Sequence, residues 1–181
     1  METIGFLELN SIAKGIEAAD TVLKTADVQL IFSKAGCPGK YYLLFTGEVA
    51  AVKASIDAGC VTGGQHVVDQ CVIPRVHPQV IRAINMTNMP DSIKAVGVME
   101  FFSVTASVYS ADAAVKAADV ELIEVRLGTG IGGKSFVVLT GEVAAVREAV
   151  NCGIHTPAAE GMLISSVVIP SPHKDLLSNL I

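Results

Sequence analysis

The sequence predicts an α+β protein built from one unit written twice. Two observations carry this. The chain matches itself at an offset of 92 residues that grows to 94 and then 96. Within each copy the apolar pattern reads strand, helix, strand, strand, helix, strand, which suits a sandwich of helices against a mixed or antiparallel sheet.

The repeat is dense. Ile4-Gly5 aligns with Val96-Gly97, Glu8 with Glu100, Ser11 with Ser103, Ala19-Asp20 with Ala111-Asp112, Lys24 with Lys116, and Ala26-Asp27-Val28 with Ala118-Asp119-Val120. After a hairpin, Thr46-Gly47-Glu48-Val49-Ala50-Ala51-Val52 equals residues 140–146 at all seven positions, which composition does not produce. Val72-Ile73-Pro74 then matches Val168-Ile169-Pro170, and His77 matches His173. The 181 residues therefore hold two copies of a unit of roughly 90 residues. The expected division is a first domain over 1–84, a linker over 85–94 containing Asn88, Met89, Pro90 and Asp91, and a second domain over 95–181.

In the first copy, residues 3–10 read as a strand. Residues 11–26 read as a helix with Ser11 as N-cap and Ile12, Ile16, Ala19 and Leu23 on one buried face. Residues 27–34 and 40–46 are paired strands of a hairpin. Residues 47–58 form a second helix with Val49, Val52 and Ile56 on its buried stripe. Residues 66–74 form a last strand stopped by Pro74, and Pro78 begins a short helix.

Composition narrows the function. Apolar residues make up 51%, aromatics 5% and charged residues 17%; the Ala, Val and Ile surplus predicts subunit interfaces rather than one large core. A net charge of −5 without a basic cluster speaks against nucleic acid. The longest uncharged stretch, Gly161 to His173, has 13 residues and two prolines, so no membrane span is expected. The first residues lack the basic start of a signal peptide, and Cys37, Cys60, Cys71 and Cys152 show no CxxC pair, so free thiols in the cytoplasm are expected. Cys60, Cys71 and Cys152 lie on apolar faces and read as small buried fillers.

Cys37 differs. It sits in Gly36-Cys37-Pro38-Gly39-Lys40, a turn between two strands, where an exposed thiol invites oxidation or metal capture. A turn cysteine with no role, a metal ligand and a nucleophile are the open readings. A nucleophile needs a base in reach, and His77 and His173 stand at matched positions beside proline, which points to structure. The second copy replaces this turn by the longer Gly128-Thr129-Gly130-Ile131-Gly132-Gly133-Lys134-Ser135, with Thr129 where Cys37 would fall. That stretch matches the P-loop pattern GxxxxGK[ST], but a P-loop needs a helix directly after it, and Ser135–Leu139 is a β pattern. A flexible glycine tip is expected there, and no enzyme. Glu8 and Glu100, matched in the first strands, are expected to hydrogen-bond structurally rather than catalyse.

IGFLE, LKTADV, TGEVAAV and VIPRVH, repeated as VGVME, VKAADV, TGEVAAV and VIPSPH, resemble the bacterial microcompartment shell domain over nearly the whole chain. The order of elements is that family's variant of the ferredoxin-like sandwich. Two copies in one chain look like the tandem-domain, propanediol-utilisation type. The resemblance implies a homotrimer that mimics a hexagonal tile, in a cytoplasmic shell, packed against other shell proteins at its edges. It implies that Lys24, Lys116 and Arg75 lie at those edges; Ser171 takes the place of Arg75 in the second copy. It also implies pore loops at Gly36, Pro38 and Gly39 and at Gly128, Thr129, Gly130, Ile131, Gly132 and Gly133. In a subclass with a Cys in the first hairpin, three loops meet on the threefold axis and hold an iron–sulfur cluster. For this chain that means one cluster per trimer, a [4Fe–4S] centre bound by Cys37 from each of three chains, serving electron transfer or cluster supply to enclosed redox enzymes. A zinc ion on three thiolates, or a plain metabolite pore, are the alternatives.

Overall fold

The computed structural model describes residues 3–86, 88, 90 and 92–177. The chain divides into two compact units, Met1–Val76 and His77–Ile181. Met89 and Asp91 of the expected linker lie outside the described residues.

In the first unit, β1 (Thr3–Leu9), α1 (Ile12–Thr25), β2 (Val28–Gly36), β3 (Lys40–Gly47), α2 (Val49–Gly63) and β4 (Val67–Ile73) follow the expected order. The second unit opens with α3 (Pro78–Ile84). It continues with β5 (Ala95–Phe101), α4 (Val104–Ala117), β6 (Val120–Leu127), β7 (Ser135–Gly141), α5 (Val143–Ile154), β8 (Leu163–Ile169) and α6 (Lys174–Leu177). The sheets run β2-β3-β1-β4 and β6-β7-β5-β8, and every neighbouring pair is antiparallel. The first copy's hairpin thus puts its turn at one end of its sheet, beside the C-terminal end of β1, because Glu8 faces Tyr42 and Leu9 faces Tyr41.

Local chemistry explains the elements. The Ser11 hydroxyl accepts from the Lys14 N–H (3.3 Å) and the Ser103 hydroxyl from the Ala106 N–H (3.2 Å), so both first helices start on the same cap. The glycine shared by both first strands lets the second helix approach: a Cβ on Gly5 would lie 2.9 Å from Val52 of α2, and one on Gly97 2.7 Å from Val150 of α5. The first core joins Leu7 and Leu9 of β1, Leu43 and Phe45 of β3, Ala18 and Val22 of α1, and Val52 and Ile56 of α2.

Four expectations change. Helix α1 buries Gly15, Ala18, Ala19 and Val22, while Ile12, Ile16 and Leu23 are exposed. The small residues face the sheet because the helix packs close to it: a Cβ on Gly15 would sit 2.4 Å from Tyr41. Val49, at the first turn of α2, is likewise exposed. Of the three filler cysteines only Cys71 is buried; Cys60 and Cys152 are half-buried, their thiols directed at Gln70 and Glu148. Residues 77–84 also pack within the second unit, although the repeat places them at the end of the first copy. The His77 N–H donates to Asp112 of α4 (2.8 Å), and the Gln79 amide oxygen accepts from the Leu122 N–H of β6 (2.8 Å). Among the described residues no helix is long and apolar enough to cross a membrane.

Candidate functional site

The tip of the first hairpin is held from below. The Gly39 N–H donates to the Gly36 carbonyl (2.9 Å), and Gly39 has φ +91, where a side chain is strained. The Cys37–Pro38 peptide is cis. Cys37 is half-buried, and Pro38 and Gly39 are exposed. The Tyr42 hydroxyl donates to the Cys37 carbonyl (3.2 Å). Its ring stacks on Phe6 with centroids 6.1 Å apart. Gly36 has to be glycine, since a Cβ there would lie 2.1 Å from the Tyr42 ring. Burial, with the Glu8 carboxylate beside it, raises the Tyr42 pKa and keeps its hydroxyl a donor.

Beneath the tip, Lys40 forms an ion pair with Glu8. Burial raises the Glu8 pKa; the hydrogen bond and charge of Lys40 draw it back, and Asp69 across the β1–β4 register raises it. The second unit repeats the pair as Glu100 and Lys134 at 3.0 Å, in a more exposed setting. The structural role expected for Glu8 and Glu100 is therefore met, with the hairpin lysines as partners. The sequence reading did not name this pairing. The signal was present: glutamate and lysine recur together in both copies while the residues between them differ.

The second tip has no thiol. Gly128, Gly130, Gly132 and Gly133 all have positive φ, and the Gly128 N–H donates to the Lys134 carbonyl (3.0 Å), closing the loop onto β7. Thr129 is exposed, its hydroxyl donating to the Leu127 carbonyl (3.2 Å), and Ile131 is half-buried. A strand, not a helix, follows Lys134, and that lysine is engaged by Glu100. The P-loop match therefore lacks the helix N-terminus and the available lysine that hold phosphates.

A family profile described as BMC domain matches residues 3–76 and again 95–172. The chain belongs to the BMC-domain family of bacterial microcompartment shell proteins. It is 42% identical to the microcompartment shell protein PduT of Citrobacter freundii, over 99% of this chain and 98% of that protein. It is 29% identical to the carboxysome assembly protein CcmO of Synechococcus, over 98% of this chain and 68% of that protein. A crystallised microcompartment protein from Desulfitobacterium hafniense superposes with a TM-score of 0.92 at 49% identity, over 98% of this chain and 99% of that one. A fused permuted hexameric shell protein from the RMM microcompartment superposes at 0.60 with 26% identity, over 83% and 78% of the two chains.

The protein is thus a structural component of a microcompartment shell and not an enzyme. In this shell protein the residues expected at tile edges lie on exposed or half-buried surface. Lys24 ends α1, is exposed, and pairs with Asp20 at 2.6 Å. Lys116 pairs at 2.5 Å with Asp112, the residue that also holds the His77 N–H. Arg75 is exposed directly after β4, with φ +52. Among the described residues no group of three or more His, Cys, Asp and Glu side chains lies together within one chain as a metal site.

Proposed function

We propose that three copies close into a pseudo-hexagonal shell tile in which the Cys37 hairpins meet on the threefold axis and hold one [4Fe–4S] cluster. The observation that carries this reading is Cys37: a half-buried thiol at a hairpin tip, its carbonyl pinned by a tyrosine hydroxyl, in one unit only. Phe136 replaces Tyr42 in the repeat, so the hydroxyl accompanies the thiol. The donor chemistry fits when chains share it. One chain supplies one soft thiolate, and iron–sulfur clusters take Cys thiolates, commonly four. Three copies leave one iron for an outside ligand. Nothing lies within 4 Å of where a Cβ on Gly39 would be, so the tip leaves room for neighbouring tips.

In such a tile the cluster supplies one-electron chemistry, for electron transfer across the shell or cluster supply to enclosed redox enzymes. The chain's own part is positional. Tyr42 fixes the Cys37 backbone, the Glu8–Lys40 pair braces the strand beneath it, and the glycines keep bulk away from the tip. Lys24, Lys116 and Arg75 serve as edge contacts with other shell proteins.

Anaerobically purified protein tests the reading. Sedimentation should give a trimer of three 18.8 kDa chains. Iron analysis should give about four irons per trimer, the content of one cubane. Cys37→Ser should lose the iron and the brown colour but stay trimeric, while Cys60→Ala, Cys71→Ala and Cys152→Ala keep both. Iron-free wild type would leave a plain metabolite pore rimmed by the tips. A monomer would end the tile reading altogether.

A further inference from the structure

Each sheet holds a cleft at the end away from its hairpin tip, where Val28 pairs with Gly47 in the first unit and Val120 with Gly141 in the second. In the first unit Asp27, Gln29, Thr46, Glu48 and Arg75 line it, and it encloses about 450 Å³. In the second unit the matched Asp119, Glu121, Thr140 and Glu142 line a cleft of about 140 Å³.

Lys94 occupies the second cleft. Its N–H donates to the Thr140 hydroxyl (3.1 Å), and its ammonium bonds Glu142 (2.5 Å) beside Asp119. The first copy has no lysine at that place; Glu2 stands there in the sequence. Glu48, the mate of Glu142, makes no capping bond to α2. The arginine is distributed the other way. Arg75 is exposed at the first cleft, and Ser171 takes its place in the second copy. The first unit thus offers two carboxylates and an exposed guanidinium, while the second offers carboxylates that already hold an ammonium, and no arginine.

We infer that copies of the tile join one another only through their first units, Arg75 of each entering the Asp27–Glu48 cleft of the other, and that Lys94 closes the second unit's edge to this contact. The inference rests on the tile reading: when the tips meet on the axis, the opposite ends of the sheets face the periphery. A contact between two first units is isologous, with a guanidinium meeting carboxylates in both directions. A first unit set against another tile's second unit brings Arg75 to Lys94, like charge to like, and leaves Asp27 and Glu48 facing Ser171. The Lys94–Glu142 pair is exposed, at 57% and 73%, so it adds little to folding. Its effect is on the charge that an incoming arginine meets. A tile whose joining edges alternate with closed ones has three like neighbours rather than six. Its other three edges are left for shell proteins that bring no cation to that place.

The test images layers of the full-length trimer by atomic force microscopy at low salt and counts the neighbours of each tile. Wild type should give three, in an open honeycomb whose tiles alternate in orientation. Lys94→Ala leaves Asp119, Glu121 and Glu142 free to receive Arg75, so it should give six neighbours in a close-packed layer of one orientation. Lys94→Arg keeps the cation and should match wild type. Wild-type tiles with six neighbours, a Lys94→Ala layer that stays open, or a Lys94→Arg layer that closes overturns the inference and leaves the tile reading standing. Trimers that form no layers overturn the edge contact, and a wild type that sediments as a monomer overturns the tile reading itself.

Discussion

Two glutamate–lysine pairs occupy matched places in one chain, and their settings differ enough to predict unequal energies. Glu8 is 2% exposed and Lys40 22%, while Glu100 is 35% exposed and Lys134 46%. Lys40→Met leaves a buried carboxylate without its cation, a loss of about 3 kcal/mol when a buried pair is broken from one side. That is about a hundredfold in the folding equilibrium. Lys134→Met breaks a pair in contact with water, which costs about 0.2–1 kcal/mol. The pH dependence has a defined sign. Burial holds the Glu8 pKa above its ordinary 4.5 in the fold, so the folded chain binds that proton more tightly than the unfolded chain. The resulting destabilisation is absent below the unfolded pKa and grows as pH rises through the folded one. Removing Lys40 removes the two influences that lower this pKa and extends the window upward. The deficit of Lys40→Met should therefore be larger at pH 7 than at pH 5. Urea unfolding at one fixed protein concentration measures it, with hydrogen exchange reading β1 and β5 separately, because a two-unit oligomer need not unfold in one step. Adding Glu8→Gln to Lys40→Met should restore much of the loss at pH 7. Equal costs for the two lysine variants, or a deficit independent of pH, would refute the burial reasoning.

The other predictions follow from the tips and the edges. Gly36→Ala puts a Cβ 2.1 Å from the fully buried Tyr42 ring, so it should cost about 1–3 kcal/mol and lower iron loading; an unchanged melting curve would show that the tip shifts freely. Lys24→Ala combined with Arg75→Ala should abolish extended sheets in electron micrographs without altering the sedimentation of the single tile, and persistent sheets would remove both residues from the edge. ATP should bind no better than inorganic tripolyphosphate in equilibrium dialysis, and a micromolar ATP affinity lost in Lys134→Ala would reopen the nucleotide reading.

The order of elements, both serine caps and the helix after Pro78 were legible because they are local: a hydroxyl before an apolar period, a proline with fixed φ, a repeat that confirms each reading. The burial face of α1 was not. Its larger side chains, Ile12, Ile16 and Leu23, suggest the core by size, yet the sheet lies close enough to accept only Gly15, Ala18, Ala19 and Val22. A hydrophobic period locates a face, and which side of it meets the sheet depends on helix-to-sheet distance, a tertiary quantity. At the matched positions of the second unit, Val104, Val108 and Val115 are buried. At the tip, Cys37 was legible as an anomaly, a thiol in a Gly-Pro-Gly turn. Its support by Tyr42 depends on β3 side-chain direction at the hairpin end, and no spacing rule reports that contact.

Duplication gives a physical reason for the unequal tips. Six identical single-domain tips around an axis would bring six thiols together, more than a cubane binds, and the excess sulfurs would be free to oxidise. In the proposed tile, a tandem chain lets one tip keep Cys37 while the other diverges to Thr129 and four positive-φ glycines, so that three copies would present three thiols alternating with three tips that lack them. The frames beneath keep common parts: both have the glutamate on the first strand, a lysine at the entry to the third, and the serine cap. The pairs that brace the hairpins recur in both units, the first more deeply buried, whereas the second tip, closed by its own turn, can differ without disturbing what lies under it. Tyr42 is a difference that reaches from frame to tip, and it occurs on the side that carries the thiol. Tyr42→Phe restores the second unit's residue at that place, so it should leave fold and trimer intact and weaken only the retention of iron.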